Sequence, residues 1–254
     1  MRIALLQTAL VWENPLANRK AIRQALLSLE PSDLLVLPEM FTTGFSMRAE
    51  ALAESMSGET VDWMKELAKA HQLTVCGSIM IRSMVGLTNR FIWVPPAGDI
   101  EFYDKRHLFR MSGEHEHYTA GQSTLRAELQ GFRCRPLICY DLRFPVYARN
   151  VANSFDLMLV VANWPAARAT HWRTLLAARA IENQCFVVGV NRLGTDGNQV
   201  SYQGDSMILD FQGEPIVDAS AQPGLFYAEL DLASLSDYRA AFPAWMDQDR
   251  FNLE

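Results

Sequence analysis

The sequence predicts an α/β protein in which two β-sheets pack face to face between two layers of helices, an α-β-β-α sandwich. Strand and helix signals alternate along the chain, as expected for sheets flanked by helices. The two halves also resemble each other, since residues 33–37 (DLLVL) are echoed by residues 156–160 (DLMLV). Each segment precedes a predicted helix with a tryptophan, Trp63 or Trp172, and then an apolar strand. Two similar α/β layers therefore account for most of the chain.

Residue periodicity predicts the individual elements. Residues 58–71 place Val61, Met64 and Leu67 on one face of a helix. The predicted helices span about 15–29, 58–71, 145–154 and 170–183. The predicted strands span about 2–10, 33–38, 74–81, 89–95, 101–105, 133–140, 156–163, 185–192, 202–210 and 225–231.

Composition narrows the class of protein. The chain has 254 residues, 49% of them apolar, and a formal net charge of −6. This length suits one large α/β domain, and no stretch resembles a linker, so we expect a single domain over 1–254 with a C-terminal tail from about 232. The negative charge disfavours nucleic acid as a partner. No apolar run approaches the length of a membrane span, and we expect no signal peptide.

Three polar residues follow predicted apolar strands and are candidates for chemistry. Cys139 ends the run RPLIC and precedes a polar corner closed by a proline. Glu39 ends the run DLLVLPE, and Lys105 ends the strand predicted near 101–105. Strand ends are where open α/β sheets place their reactive groups. A lone cysteine is more often a buried apolar residue, so the other two positions give Cys139 its significance.

The segments around these residues resemble the three catalytic blocks of the nitrilase superfamily, the carbon–nitrogen hydrolases. The blocks read LPEM at 37–40, YDKRHLF at 103–109 and CYDLRF at 139–144, in the family's order. The resemblance extends from Ile3 to about Asp231, and the ω-amidase branch is the most similar. It implies the four-layer nitrilase-like fold, hydrolysis of a small-molecule amide, and a homodimer. The segment 238–246 is rich in aromatic residues, which concentrate in interfaces. In a homodimer we therefore expect it to be an arm that reaches the partner subunit, rather than a tail packed on its own subunit.

Amide hydrolysis requires a nucleophile, a proton carrier and a site for the oxyanion. We expect Cys139 to attack the amide carbon and form a thioester, with Glu39 as the general base. A protonated Lys105 suits the oxyanion, together with the backbone N–H of Tyr140. We also expect the Lys105 ammonium to lower the pKa of the Cys139 thiol.

The segment GEHEHY at 113–118 contains two further candidate sites. Glu114 falls where the family has a second glutamate that orients the lysine, and a shift of two residues would put Glu116 there instead. On an extended strand His115 and His117 would share a face, so a zinc hydrolase is the rival hypothesis. Two ligands are too few for zinc, and we therefore expect no metal site.

Histidine could also pair with Cys139, as in papain-like proteases, but no candidate lies in a convincing motif. These candidates are His71, His107 and His171. The more plausible role for His107 is to brace the strand of Lys105. No glycine-rich phosphate loop is present, so we expect no cofactor.

The expected substrate is an α-keto acid ω-amide such as 2-oxoglutaramate, as the ω-amidase resemblance implies. Trp164 and Phe45 are candidates for the pocket wall, and Arg143 for a cation that binds the substrate carboxylate. Arg168 and Arg192 are alternative cations. Nitrilase, aliphatic amidase and carbamylase chemistry share the same three catalytic residues, and a scaffold with an inactive site is a further alternative. Four cysteines in separate predicted elements favour a reduced compartment, the cytoplasm.

Overall fold

The computed structural model describes residues 1–249 and residue 251. The strands of this part of the chain are β1 (Arg2–Gln7), β2 (Leu34–Val36), β3 (Thr74–Ser83), β4 (Gly86–Val94), β5 (Glu101–Asp104), β6 (Ala127–Leu129), β7 (Phe132–Ile138), β8 (Leu157–Ala162), β9 (Phe186–Asn191), β10 (Leu193–Thr195), β11 (Ser201–Gln203), β12 (Met207–Leu209), β13 (Pro215–Asp218) and β14 (Gly224–Glu229). The α-helices are α1 (Pro15–Ala25), α2 (Ala49–Leu52), α3 (Glu59–His71), α4 (Glu114–His117), α5 (Pro145–Ala148), α6 (Ala169–Asn183) and α7 (Leu232–Ala241). Short 3₁₀ turns lie at Leu26–Ser28, Arg110–Ser112, Cys139–Arg143, Val151–Asn153, Ala166–Arg168 and Ala244–Asp247.

Two six-stranded sheets have matching topologies. The first has the order β14-β1-β2-β3-β4-β5, and the second has the order β13-β12-β9-β8-β7-β6. In each sheet three neighbouring strands are parallel, β1-β2-β3 and β7-β8-β9, and every other strand runs antiparallel to the strand beside it. The internal similarity of the sequence therefore corresponds to a repeated α/β layer.

Three hydrophobic clusters define the layers. The cluster between the sheets takes side chains from both, such as Leu5 and Val36 from the first and Ile138 and Val161 from the second. A second cluster joins α1 and α3 to the outer face of the first sheet. A third joins α5 and α6 to the outer face of the second sheet. The predicted α-β-β-α sandwich is confirmed.

Two predicted elements are interrupted, one by side-chain hydrogen bonds and the other by a close approach of the backbone to a side chain. The helix predicted over 145–154 ends at Ala148. The side chain of Asn150 donates to the carbonyls of Phe155 and Asn183, and these bonds compete with continuation of the helix. The strand predicted over 202–210 breaks at Gly204, whose φ is +84°. A Cβ there would lie 2.5 Å from the side chain of Gln7, so the close approach requires glycine.

The C-terminal tail expected from about 232 begins with helix α7, which packs on the sheets of its own subunit. Asp231 caps the helix by accepting from the N–H groups of Ala233 and Ser234. Leu235 is buried in the core between the sheets, and Arg239 donates to Asp156 Oδ1 at 2.7 Å. Residue 250 and residues 252–254 of the predicted tail lie outside the described residues.

Asp156 anchors α7 to the second sheet, and its removal should destabilise the fold. Its buried carboxylate pairs with Arg133 and Arg239, each at 2.7 Å. Burial acts to raise the pKa of Asp156, but hydrogen bonds from the two guanidinium groups outweigh it and lower the pKa. We expect Asp156→Asn to reduce the free energy of unfolding by about 3 kcal/mol at pH 7.

The lowered pKa of Asp156 determines how the loss of stability in Asp156→Asn depends on pH. A carboxyl group with a lowered folded-state pKa stabilises the protein above its unfolded-state pKa of about 4, and loses that effect as the pH falls further. Urea unfolding of wild type and variant at pH 7 and pH 3 measures the difference. A deficit that does not shrink at pH 3 would contradict the assignment.

Candidate active site

Glu39 lies beyond the end of β2, fully buried, and its carboxylate is fixed from two sides. Asn89 Nδ2 on β4 donates to Glu39 Oε1 at 2.8 Å. The backbone N–H of Asn163, beyond the end of β8, donates to Oε2 at 2.8 Å. The Asn163 side chain in turn donates to the Glu39 carbonyl at 2.6 Å. The equivalent strands of the two sheets thus meet at this carboxylate.

Lys105 follows β5 and places its ammonium group between two buried carboxylates. Its Nζ lies 2.9 Å from Glu39 Oε1 and 3.0 Å from both carboxylate oxygens of Glu114. The ring of Phe45 covers the ammonium, with the centroid 5.0 Å from Nζ. All three ionisable side chains are at most 1% exposed, so each depends on the others for its charge to be tolerated.

A tight turn delivers Glu114 to this cluster. Gly113 has a φ of +76° and precedes the single turn of α4. The backbone N–H of Phe109 donates to Glu114 Oε2 at 2.5 Å and fixes the carboxylate. Glu116 lies on the same turn with an exposed side chain. Glu114, and not Glu116, therefore contacts Lys105.

The same turn makes the basis of the zinc hypothesis wrong. His115 and His117 lie on a helical turn rather than a strand, so their side chains point about 200° apart around the helix axis. Within residues 1–249 and 251 no group of three His, Cys, Asp or Glu side chains could hold a metal ion.

The charges in the cluster follow from burial and mutual attraction. Burial acts to lower the pKa of Lys105, but the carboxylates of Glu114 and Glu39 outweigh it and raise the pKa. Lys105 therefore carries a positive charge at neutral pH. Burial and the nearby Glu39 raise the pKa of Glu114, although the Lys105 charge opposes them. The lysine is suited to stabilise negative charge and not to abstract a proton.

Cys139 begins the 3₁₀ turn that follows β7, with a φ of +45°. This left-handed conformation is strained for a residue with a side chain and occurs preferentially at functional sites. Asp141 holds the turn by accepting from the N–H of Ile138 at 3.2 Å and from Tyr103 Oη at 2.7 Å. Because Tyr103 is on β5, Asp141 ties the turn to the strand that precedes Lys105.

His107 braces the same junction and does not pair with the thiol. Its backbone N–H donates to Asp141 Oδ1 at 2.9 Å, its Nδ1 lies 2.7 Å from the same oxygen, and its ring stacks on Phe144. None of the histidines that the structure describes lines the cavity around Cys139. The geometry therefore gives no support to a papain-like pair.

The Lys105 ammonium lowers the pKa of the Cys139 thiol, as expected, but the net shift of this pKa is upward. Burial raises the pKa of Cys139 well above its ordinary value, and the charge of Glu39 with its hydrogen bond to the thiol adds to the effect. The Lys105 ammonium does lower it, but by less than these contributions. The thiol is therefore protonated at neutral pH, and a base must remove its proton during attack. Glu39 is placed to do so.

A cavity of about 900 Å³ opens onto Cys139, and four predicted substrate contacts line it. These are Phe45, Tyr140, Arg143 and Trp164. Arg168 also lines the cavity, whereas Arg192 does not. The Arg192 guanidinium is buried beneath Tyr202 and donates to the carbonyls of Leu10 and Leu193. Arg192 is thus structural rather than a free cation.

Sequence reasoning missed both Asn89 and Asn163 as hydrogen-bond partners of Glu39. Asn163 follows β8 directly and lies one residue from the position that the repeat of 33–37 in 156–160 pairs with Glu39, so the internal repeat could have indicated it. Asn89 lies between two other polar residues, Thr88 and Arg90, in the first half of β4, and nothing in that run distinguishes it. Its partner becomes known only when strand pairing is known.

The comparisons with known proteins agree with this geometry. The family model for carbon-nitrogen hydrolases matches residues 2–240.

The chain belongs to the carbon–nitrogen hydrolase family.

Among its relatives, this carbon–nitrogen hydrolase is 49% identical over 255 residues to omega-amidase YafV of Escherichia coli K12, covering 100% of this chain and 98% of the relative. It is 35% identical over 220 residues to the 2-oxoglutaramate amidase of Bacillus subtilis, covering 85% of each. Among solved structures, a CN-hydrolase superfamily protein of Xanthomonas campestris has an arsenic adduct in its active site. It matches with a TM-score of 0.98 at 46% identity, covering 100% of this chain and 99% of the other. The predicted family is confirmed.

Glu39→Gln separates the effect of Glu39 on the pKa of Cys139 from its expected role in proton transfer. Removing its charge should lower the pKa of Cys139, so that iodoacetamide alkylates the thiol at lower pH than in wild type. Ammonia release should nevertheless fall by about a hundredfold or more if Glu39 is the general base, as the sequence predicts. Mass spectrometry of the alkylated protein across a pH series and an ammonia assay measure the two effects. The exposed neighbour Glu116→Gln is the control, and an alkylation profile displaced to higher pH would contradict the electrostatic assignment.

Proposed function

We propose that this enzyme is an ω-amidase that hydrolyses α-keto acid ω-amides such as 2-oxoglutaramate and releases ammonia. The observation that carries the proposal is the buried Glu39–Lys105–Glu114 cluster beside Cys139. Lys105 and Cys139 face a cavity with three arginines at its wall, Arg48, Arg143 and Arg168. The relatives named omega-amidase and 2-oxoglutaramate amidase support the choice of substrate.

In the proposed first half-reaction, the Cys139 sulfur bonds to the amide carbon while Glu39 takes the thiol proton. The Lys105 ammonium and the backbone N–H of Tyr140 stabilise the oxyanion, where one donor contributes about 3–4 kcal/mol. The carbon–nitrogen bond then breaks, and Glu39 gives its proton to the departing nitrogen as ammonia leaves. The product on the enzyme is a thioester.

In the second half-reaction, Glu39 takes a proton from a water molecule that attacks the thioester carbon. The carbon–sulfur bond breaks, the acid leaves, and the proton returns to Cys139. Glu114 does not exchange protons in this scheme. Its two oxygens hold the Lys105 ammonium at 3.0 Å, so that the charge stays fixed while the proton on Glu39 comes and goes.

Cysteine replacements test the mechanism. Cys139→Ala should abolish ammonia release from 2-oxoglutaramate without unfolding the protein, and Cys139→Ser should do nearly the same, since the hydroxyl is a weaker nucleophile. Cys185→Ala removes a buried thiol far from the reaction and is the control. Substantial turnover by Cys139→Ala would exclude the thioester mechanism.

A substrate panel tests the choice among the family's activities. Ammonia release should be faster from 2-oxoglutaramate than from aliphatic amides, nitriles or carbamoyl amino acids at equal concentration. A preferred nitrile would indicate a nitrilase, a preferred uncharged amide an aliphatic amidase, and a preferred carbamoyl compound a carbamylase.

We also propose that the enzyme is a homodimer that works in the cytoplasm. Several large apolar side chains on the outer face of the second α/β layer are exposed, among them Val146 (53%) and Ile181 (55%). Phe242 and Met246 are exposed too, and the Phe242 carbonyl accepts from Gln184, just beyond α6. Exposed apolar surface of this kind favours association.

All four cysteines are free thiols, which fits a reducing compartment such as the cytoplasm. No helix of the described chain is long and apolar enough to cross a membrane.

A charge placed on this face should disrupt the dimer. Sedimentation velocity should give a dimer for wild type and a monomer for Ile181→Asp, because the charge would be buried without a partner. Leu27→Asp replaces an exposed leucine beside α1, on the opposite helical layer, and should remain dimeric. A monomeric wild type would refute the proposal.

A further inference from the structure

The carboxylate of an α-keto acid amide needs a cation when it is buried in the cavity. Two of the basic side chains at the cavity wall are already neutralised by carboxylates. Lys105 contacts Glu39 and Glu114, and Arg48 pairs with Glu13 at 2.6 Å. Arg143 and Arg168 line the cavity as well. Neither guanidinium pairs with a carboxylate among the residues that the structure describes.

Arg143 is joined directly to the nucleophile and is held in place. It is the last residue of the 3₁₀ turn that Cys139 begins. Its guanidinium carbon lies 4.8 Å from the centroid of the Trp164 ring, a cation–π distance. Trp164 is itself buried and fixed, because its indole N–H donates to the Arg168 carbonyl at 2.8 Å. One face of the guanidinium therefore rests on a rigid platform.

His171, on the first turns of α6, holds the edge of the same guanidinium. Arg143 Nη2 lies 3.0 Å from His171 Nδ1. A guanidinium group can only donate hydrogen bonds, so Nδ1 must accept and the ring must be neutral. A carboxylate at this position would fix Arg143 equally well but would cancel its charge. The neutral imidazole fixes the side chain and leaves the charge for a ligand.

We propose that Arg143 binds the carboxylate of the substrate and that His171 is a positioning residue that holds Arg143 in the binding geometry. The inference rests on the proposed function, since it supposes an anionic amide. Arg168 is the competing cation. Its guanidinium carbon lies 5.4 Å from the Phe109 ring centroid, and no hydrogen bond from its guanidinium to a described residue fixes it in the same way.

Replacing each arginine by methionine separates the two candidates. The measurement is kcat/KM for 2-oxoglutaramate divided by kcat/KM for butanamide, which has no carboxylate. Arg143→Met should lower this ratio by about ten- to hundredfold, chiefly through KM, because the carboxylate loses its charged partner. Arg168→Met should lower it less, and Arg23→Met on the remote helix α1 should leave it unchanged. A ratio more sensitive to Arg168→Met, or unaffected by Arg143→Met, overturns the assignment.

His171 is tested by a pair of variants read with the same ratio. His171→Leu removes the acceptor and should lower the ratio about tenfold. His171→Asn keeps an acceptor oxygen near the position of Nδ1 and should restore most of it. A merely structural role for His171 would change both substrates together and would not be rescued by Asn. Equal ratios for wild type and His171→Leu refute the positioning role.

Inhibition keeps failure of this inference distinct from failure of the proposed function. The product 2-oxoglutarate should inhibit butanamide hydrolysis competitively, and Arg143→Met should raise its inhibition constant at least tenfold. If wild type hydrolyses 2-oxoglutaramate but Arg143→Met leaves the inhibition constant unchanged, only this inference fails. If wild type neither hydrolyses 2-oxoglutaramate nor is inhibited by 2-oxoglutarate, the proposed function fails with it.

Discussion

The site depends on one buried cation shared by two buried carboxylates. Taking an ammonium or a carboxylate out of water costs several kcal/mol, which only close opposite charges and hydrogen bonds can offset. Lys105 meets that requirement through Glu39 and Glu114, and each carboxylate has a further backbone N–H donor, from Asn163 and Phe109. The strand end of β2, the exit of β5 and the turn at α4 must therefore be in place together.

The buried cluster contains no nucleophile, and the packing of the two sheets brings Cys139 to it. Glu39 and Lys105 belong to the first sheet, whereas Cys139 and Asn163 follow strands of the second. The hydrophobic cluster between the sheets fixes their relative position, and reciprocal hydrogen bonds between Glu39 and Asn163 join the strand ends. Proposed base and nucleophile thus come from different layers. Their alignment depends on sheet packing as much as on the residues that surround them.

Much of this could be predicted from local sequence, because strand ends and alternating apolar runs are local features. Glu39, Lys105 and Cys139 each end such a run, and the internal repeat predicted the paired sheets. Three features could not be predicted in this way. The choice of Glu114 over Glu116 depends on a turn at Gly113, and α7 depends on a long-range pair between Arg239 and Asp156. The raised pKa of Cys139 depends on how burial and Glu39 balance against Lys105, which is a property of the folded site.

That balance links the resting state of the enzyme to its chemistry. A thiolate beside Lys105 would be reactive toward any electrophile that entered the cavity, whereas a thiol held by Glu39 is not. The carboxylate that keeps the proton on sulfur at rest is the group that the proposed mechanism uses to accept it. Transfer becomes favourable only when an amide carbon is close enough for sulfur to bond to it, since negative charge then moves to the carbonyl oxygen facing Lys105. In this scheme the fixed ammonium stabilises the transition state more than the free thiolate, which is the condition for catalysis rather than indiscriminate reactivity.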